Sequence, residues 1–326
     1  MSRLLVCGPC PLPFENVSRT YGTGIRTWQL AWSLAQSGHE VRLVALATDG
    51  AYGGDEKPPA HEVRERVEIL RLSYAEVMDP SLLRRRIADF SPDAVVGSTI
   101  YGSFALAQCR PRLPFWADHF GDAMAEAQAK AKLEGRNWPL AHFWRFAEPA
   151  LRRADRISAV SEPQRHALVG ELAALGRLTA ETCGYELTAV IPCGAQPTLD
   201  RPPRETLRQG RFAADDFLLL WSGTFNVWAD VDTLFAAVAG AMEANPKIHL
   251  LVTGGAIEGH DEETYSRLRR LVEASPHRER FHFEGWVAAE RLPLYEATAN
   301  LAVLSELPIY EGMLGSKNRT VRWLAQ

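Results

Sequence analysis

The sequence predicts an α/β protein of two doubly wound, Rossmann-like domains, residues 1–200 and 201–326, the second short of a full set of strands. Three observations predict this. Short apolar runs bounded by Gly, Pro, Asn or Asp alternate with helical periodicity along almost the whole chain, the pattern of βαβ units and parallel sheets. The alternation breaks at residues 200–203 (DRPP) and restarts at Phe217. The 326 residues suffice for two domains that each bury a core.

Composition narrows the function classes. The chain is 46% hydrophobic and 23% charged with a net charge of −4, so no bulk positive charge points to nucleic acid as a partner. Peripheral membrane contact stays open. The opening MSRLLVCGPCP holds an apolar run too short for a signal peptide or a spanning helix, and a cytoplasmic location is expected. Five scattered cysteines fit reduced thiols better than a disulfide framework. Cys7 and Cys10 spell the redox motif C-G-P-C, but that chemistry needs a helix to start at the second thiol. Pro11 and Pro13 follow instead, so the segment reads as a loop after the first strand.

In order, residues 3–7 form a first strand, and a Gly/Pro-rich loop leads to a helix carrying Ile25, Trp28, Ala31, Trp32 and Ala35 on one face. Gly38 caps it, and residues 41–46 form the next strand. Gly22, Thr23, Gly24 and Arg26 lie at the helix start, where a missing Cβ lets a ligand approach the backbone. Thr27 stands where G-x-G-x-x-G needs its last glycine, which disfavours a dinucleotide site. Strands follow at 67–72, 94–97 and 114–117, with helices at 80–90 and 101–108. Arg84, Arg85 and Arg86 read as a solvated helix face. The 114–117 strand ends at Asp118 and His119, with Asp122 beyond, where open α/β sheets keep their ligands. The aromatic helix at 137–150 packs on the sheet, and strands at 154–161 and 190–194 complete the domain.

The second domain opens with the strand FLLLW at 217–221, the turn Ser222-Gly223-Thr224, and a helix carrying Val231, Leu234, Phe235, Val238 and Met242. Strand, small-residue loop and helix start present backbone N–H groups to an anion. Strands at 249–252 (ending at Gly254-Gly255), 281–284 (ending at Gly285-Trp286-Val287) and 301–304 alternate with helices at 264–274, 290–298 and 316–325. The acids of GHDEETY, residues 259–265, read as a helix N-terminus rather than a metal site. Four strands are few for such a domain, so more of this chain, or a second chain, is expected to complete it.

These segments resemble the GT-B glycosyltransferases, especially the retaining family 4 type. The resemblance rests on GTG with LAWSLAQSGHEV, on ADRISAVS and on VIPCGAQP in the first domain. In the second it rests on SGTF, FHFEGWV and GSKNRTVRWLAQ. It implies transfer of a sugar from a nucleotide-sugar to an unidentified acceptor, with retention and without a required metal or other cofactor. It places the donor base near Trp286 and Val287. The diphosphate falls near Gly223, Thr224, Lys317 and Arg319, Gly254 and Gly255 belong to the same donor site, and the acceptor lies near residues 22–26. Asp118, His119 and Asp122 would hold sugar hydroxyls. The chain departs from the family in two places. Residues 225–230 lack the usual cations, and Arg322 stands where a ribose-binding Glu is common. These departures keep two alternatives open: a non-catalytic GT-B-like sugar-binding or partner subunit, and a GT-B epimerase.

Overall fold

The computed structural model describes residues 1–326 apart from 16, 18–20, 48–51, 53–56, 111, 196–202, 204–206, 257–260, 316, 318–319, 322 and 324–326. The fold is α/β, in two compact units: Met1–Cys193 with Met313–Ser316, and Gly194–Gly312 with Lys317–Gln326.

The first unit is built on β1 (Arg3–Pro9), α1 (Gly22–Gln36), β2 (Glu40–Ala47), β3 (His61–Arg64), β4 (Val67–Ser73), α2 (Tyr74–Met78), α3 (Pro80–Phe90) and β5 (Ala94–Ser98). It continues with α4 (Thr99–Cys109), β6 (Phe115–His119), α5 (Ala123–Glu134), α6 (Trp138–Arg153), β7 (Arg156–Ala159), α7 (Glu162–Ala174) and β8 (Thr188–Val190). Its sheet runs β3-β4-β2-β1-β5-β6-β7-β8, parallel except for the edge strand β3. Strands buried on both faces need continuous apolar runs, and β1 and β2 supply them. One face packs Leu5, Val44, Leu106, Phe115, Phe143 and Leu168, the other Leu4, Val6, Trp28, Leu43 and Ile69.

The C-G-P-C segment differs from the expected loop. β1 continues through Gly8 and Pro9, in register with Ala45 and Leu46 of β2. Cys7 and Cys10 are both buried; burial pushes both thiols up, Cys10 to about 11. A thiol held protonated in this way is a poor nucleophile. Arg84, Arg85 and Arg86 are exposed on α3, as the pattern implied.

The second unit contains β9 (Phe217–Ser222), α8 (Val231–Ala244), β10 (Ile248–Thr253), α9 (Glu263–Glu273), β11 (Phe281–Gly285), α10 (Leu292–Thr298), β12 (Leu301–Ala302) and α11 (Tyr310–Leu314). Its parallel sheet runs β11-β10-β9-β12. The last strand is two residues long where the apolar run suggested four: Val303 still donates to Leu220, but beyond it the chain turns to pair Glu306 with Ala229. Residues 320, 321 and 323 are helical, Lys317 is not, and the rest of the expected final helix (316–325) lies outside the described residues.

In each sheet the strand order reverses beside the first strand of the unit. That switch lies between β1 and β5 in the first unit and between β9 and β12 in the second. Helices leave on opposite faces there and open a crevice at the carboxyl ends of the strands.

Candidate functional site

In the first unit α1 is pressed onto the chain that leaves β1. A Cβ on Gly24 would stand 1.9 Å from the Pro11 carbonyl oxygen, and one on Gly8 would stand 2.5 Å from Thr27 Oγ1. Gly24 therefore serves helix packing, and its bare Cα faces protein rather than a ligand. Gly22 and Thr23 form the first turn of α1, whose N-cap Tyr21 makes no side-chain cap.

The close approach carries Arg26 inward, to 2% exposure. Its Nε donates to Asp118 Oδ2 at 2.9 Å and its Nη2 to Asp118 Oδ1 at 2.7 Å. The same guanidinium donates to the carbonyls of Ile191 at 2.8 Å and Pro192 at 2.9 Å. Asp118, fully buried, also accepts from Ser158 Oγ, which in turn accepts from Trp116 Nε1 at 2.8 Å. These contacts correct the expected roles of both residues. Arg26 is not an acceptor-side cation and Asp118 is not a free carboxylate; each compensates the other's charge. Bidentate geometry and satisfied lone pairs are what a buried pair needs to offset desolvation.

His119 is the next residue of β6 and is 1% exposed. Burial lowers its pKa to about 4, with the charge of Asp118 opposing the shift, so the ring is neutral at pH 7. Its carbonyl accepts from Gln164 Nε2 at 2.9 Å, while its Nε2 has no hydrogen-bond partner among the described residues. Leaving such a buried atom unpaired is costly. Asp122 caps α5, accepting from Ala125 N at 2.7 Å, and burial raises its pKa. Asp122 Oδ1 is thus spent on the helix cap, and of the three expected hydroxyl contacts His119 is the one whose buried side-chain nitrogen lacks a partner among the described residues. Glu171 on α7 escaped the sequence reading. Burial, aided by the charge of Asp122, pushes it up to about 7.

In the second unit the glycines of the strand ends stack on one another. Gly223, at φ +120°, donates its N–H to Thr253 O at 2.9 Å, and Gly254 donates to Gly285 O at 2.6 Å. A Cβ on Gly254 would stand 2.2 Å from Gly223 O. Gly223 and Gly254 thus spend their amides within the protein, against the expectation that the Gly223 N–H awaits a diphosphate. Thr224 Oγ1 accepts from Asn226 Nδ2 at 3.1 Å. Gly255 lies in contact with Trp286, whose Nε1 donates to Ala256 O at 3.3 Å. Val287 packs against Leu218, Leu220, Leu251 and Tyr295. Lys317 Nζ sits 3.1 Å from Glu311 and 3.6 Å from Glu306, and 5.2 Å from the centre of the Trp228 ring. Its charge is compensated in place, not left open for phosphate. Arg319, Arg322 and His260 lie outside the described residues. Asp261 accepts from Thr264 N at 3.0 Å beside the start of α9. No group of three or more His, Cys, Asp or Glu among the described residues could hold a metal ion, and no described helix is long and apolar enough to cross a membrane.

Two parallel α/β units with crevices at their strand ends have the GT-B fold, and solved structures similar to this chain share it. Residues 21–174 match the family model Glycosyltransferase Family 4. Sucrose-phosphate synthase from Thermosynechococcus elongatus superposes with a TM-score of 0.68 at 20% identity, over 93% of this chain and 75% of that one. Anabaena HepE in complex with UDP and glucose gives 0.61 at 17% identity, over 94% and 74%. An α,α-trehalose 6-phosphate synthase from Burkholderia multivorans gives 0.63 at 12% identity, over 100% and 81%. No curated protein sequence matches significantly. The likenesses show the fold, and the family model falls on the unit that carries His119.

Two outcomes follow from this geometry. Arg26→Met leaves Asp118 buried and unpaired and lowers unfolding free energy by about 3–5 kcal/mol, whereas Arg26→Met with Asp118→Leu recovers most of it; urea melts at pH 7 check this. The His119 contribution has a definite sign. A pKa depressed from 6.5 to about 4 gives stability that is full above pH 6.5 and lost as pH falls toward 4. The loss is on the order of 3 kcal/mol. His119→Gln therefore shows a flatter stability profile between pH 7 and 4 than the parent protein.

Proposed function

We propose that the chain is a glycosyltransferase that moves a hexosyl or related sugar from a nucleotide-sugar to an acceptor, with retention of configuration. The observation that supports this most directly is the buried, neutral His119 with its unpartnered Nε2. It sits at the carboxyl end of β6, inside the segment that matches the family 4 model. A neutral imidazole suits a sugar hydroxyl because it exchanges hydrogen bonds without demanding a countercharge. Its fixed surroundings hold that contact in one geometry, which favours a single orientation of the reacting sugar. HepE is described with UDP and glucose, so UDP-sugars are the first donors to examine.

In this reading the second unit holds the nucleotide, its base beside Trp286 and its phosphates near Thr224. Charge develops on the departing nucleoside diphosphate, and fixed donors there lower the barrier. Lys317 could serve only by exchanging Glu306 and Glu311 for phosphate oxygens. That arrangement favours one alternative, a GT-B-like subunit that binds sugar without catalysis.

A panel of UDP-, GDP-, ADP-, TDP- and CMP-sugars separates the two. The proposal expects nucleotide release and a thermal shift with at least one donor. It also expects His119→Ala to lower kcat/KM by about 10–100-fold, the loss of one positioned hydrogen bond. Absence of both nucleotide release and thermal shift across the panel rejects donor use; a shift without release leaves the binding subunit.

A further inference from the structure

Thr99, the first residue of α4, stands at φ +62°. A β-branched residue in the left-handed region is a true outlier. Its cause is visible in the chain path. β5 ends at Ser98 and α4 begins at Thr99, so no loop residue is available to turn the backbone. Small residues clamp the turn. A Cβ on Gly97 would meet Ser103 Cα at 2.4 Å, one on Gly102 would meet Cys7 O at 2.1 Å, and Ser103 Oγ donates to Gly97 O at 2.9 Å. Glycine would adopt this conformation without strain. The chain instead holds a threonine that is 4% exposed, and its Oγ1 has no hydrogen-bond partner among the described residues.

The position matters as much as the strain. Ser98, the last residue of β5, pairs with Asp118 of β6, so Thr99 and His119 each directly follow one member of that pair, Thr99 as the first residue of α4 and His119 as the last of β6. Paired strands are about 4.8 Å apart. The unit therefore leaves two buried polar atoms open, Thr99 Oγ1 and His119 Nε2, at neighbouring strand ends beside the β1/β5 switch. Strain retained at a site with an unsatisfied hydroxyl points to use of that hydroxyl.

We infer that Thr99 contacts substrate together with His119, the two binding neutral hydroxyls of a sugar; this deepens the glycosyltransferase reading and rests on it. A threonine hydroxyl both donates and accepts, and a neutral imidazole nitrogen does one or the other by tautomer, so the pair matches alcohol groups. Neither side chain carries a positive charge for an anion, and the guanidinium of Arg26 is consumed by Asp118. The hydroxyls belong either to the donor sugar or to the acceptor.

Three substitutions test the inference. Thr99→Val keeps the branched shape and removes the hydroxyl, Thr99→Ser keeps the hydroxyl, and Thr99→Gly removes it while releasing the strain. Sugar binding is followed by the Thr99 methyl and His119 imidazole resonances in NMR titrations, one arm with UDP-glucose and one with free glucose. A response confined to UDP-glucose assigns the hydroxyls to the donor, and a response to free glucose assigns them to an acceptor subsite. Binding weakens about tenfold in Thr99→Val and Thr99→Gly and stays within about threefold in Thr99→Ser. Thr99→Gly also melts above the parent protein, by about 2–4 °C. Parent-like binding in Thr99→Gly overturns the inference, as does the absence of any Thr99 response to either ligand. If both resonances respond and no donor is turned over, the sugar site stands and the transferase reading falls. If Thr99→Val does not fold, the Gly and Ser variants decide alone.

Discussion

The buried pair of Arg26 and Asp118 is the constraint on which the first unit's ligand edge depends. The guanidinium joins α1 to the end of β6 and to the carbonyls of Ile191 and Pro192, and the carboxylate adds Ser158 of β7. An apolar contact could fill the same space, but it would not fix direction. A bidentate pair whose carboxylate also accepts from Ser158 holds four segments in one register, at the cost of desolvating two charges. His119 follows Asp118 directly, and its carbonyl is held by Gln164. The residue with the unpartnered Nε2 thus follows directly on a carboxylate held by Arg26 and Ser158.

The two units treat their strand ends differently. The first leaves neutral polar atoms unpaired, at Thr99 and His119, where ligand hydroxyls can complete them. The second brings backbones together without side chains: Gly254 packs on Gly223, and the amides of both pair with neighbouring strand ends. Glycine is required there for close approach and for positive φ, whether or not a ligand is bound.

Much of the fold was legible because apolar periodicity reports burial directly. The runs that read as β1, β2, β5, β6, β9 and β10 are strands, and GT-B was recognisable from ordered short motifs. Punctuation misled where tertiary pairing overrode it, as when Gly8 and Pro9 continued β1 beside β2. Site chemistry was less legible. Arg26 and Asp118 look like ligand contacts because sequence does not show that residues 92 positions apart meet each other. Gly24 looks like a ligand-facing glycine because the carbonyl it avoids, that of Pro11, comes close only after folding. Thr99 carries no signal, since a backbone dihedral is not written in a residue type and the sequence left residues 98–100 as a turn that the structure does not have. Lys317 reads as a phosphate cation until Glu306 and Glu311 fold around it.

We propose that the neutral, unpartnered polar atoms at the ends of β5 and β6 receive a sugar. A crystal structure of the chain soaked with an intact UDP-sugar and, separately, with a candidate acceptor sugar tests it most directly. The account predicts, in one of the two, a sugar hydroxyl about 2.6–3.2 Å from His119 Nε2, with the Arg26–Asp118 pair unmoved. Ordered sugar bound elsewhere, with His119 Nε2 still unpartnered in both crystals, would contradict it.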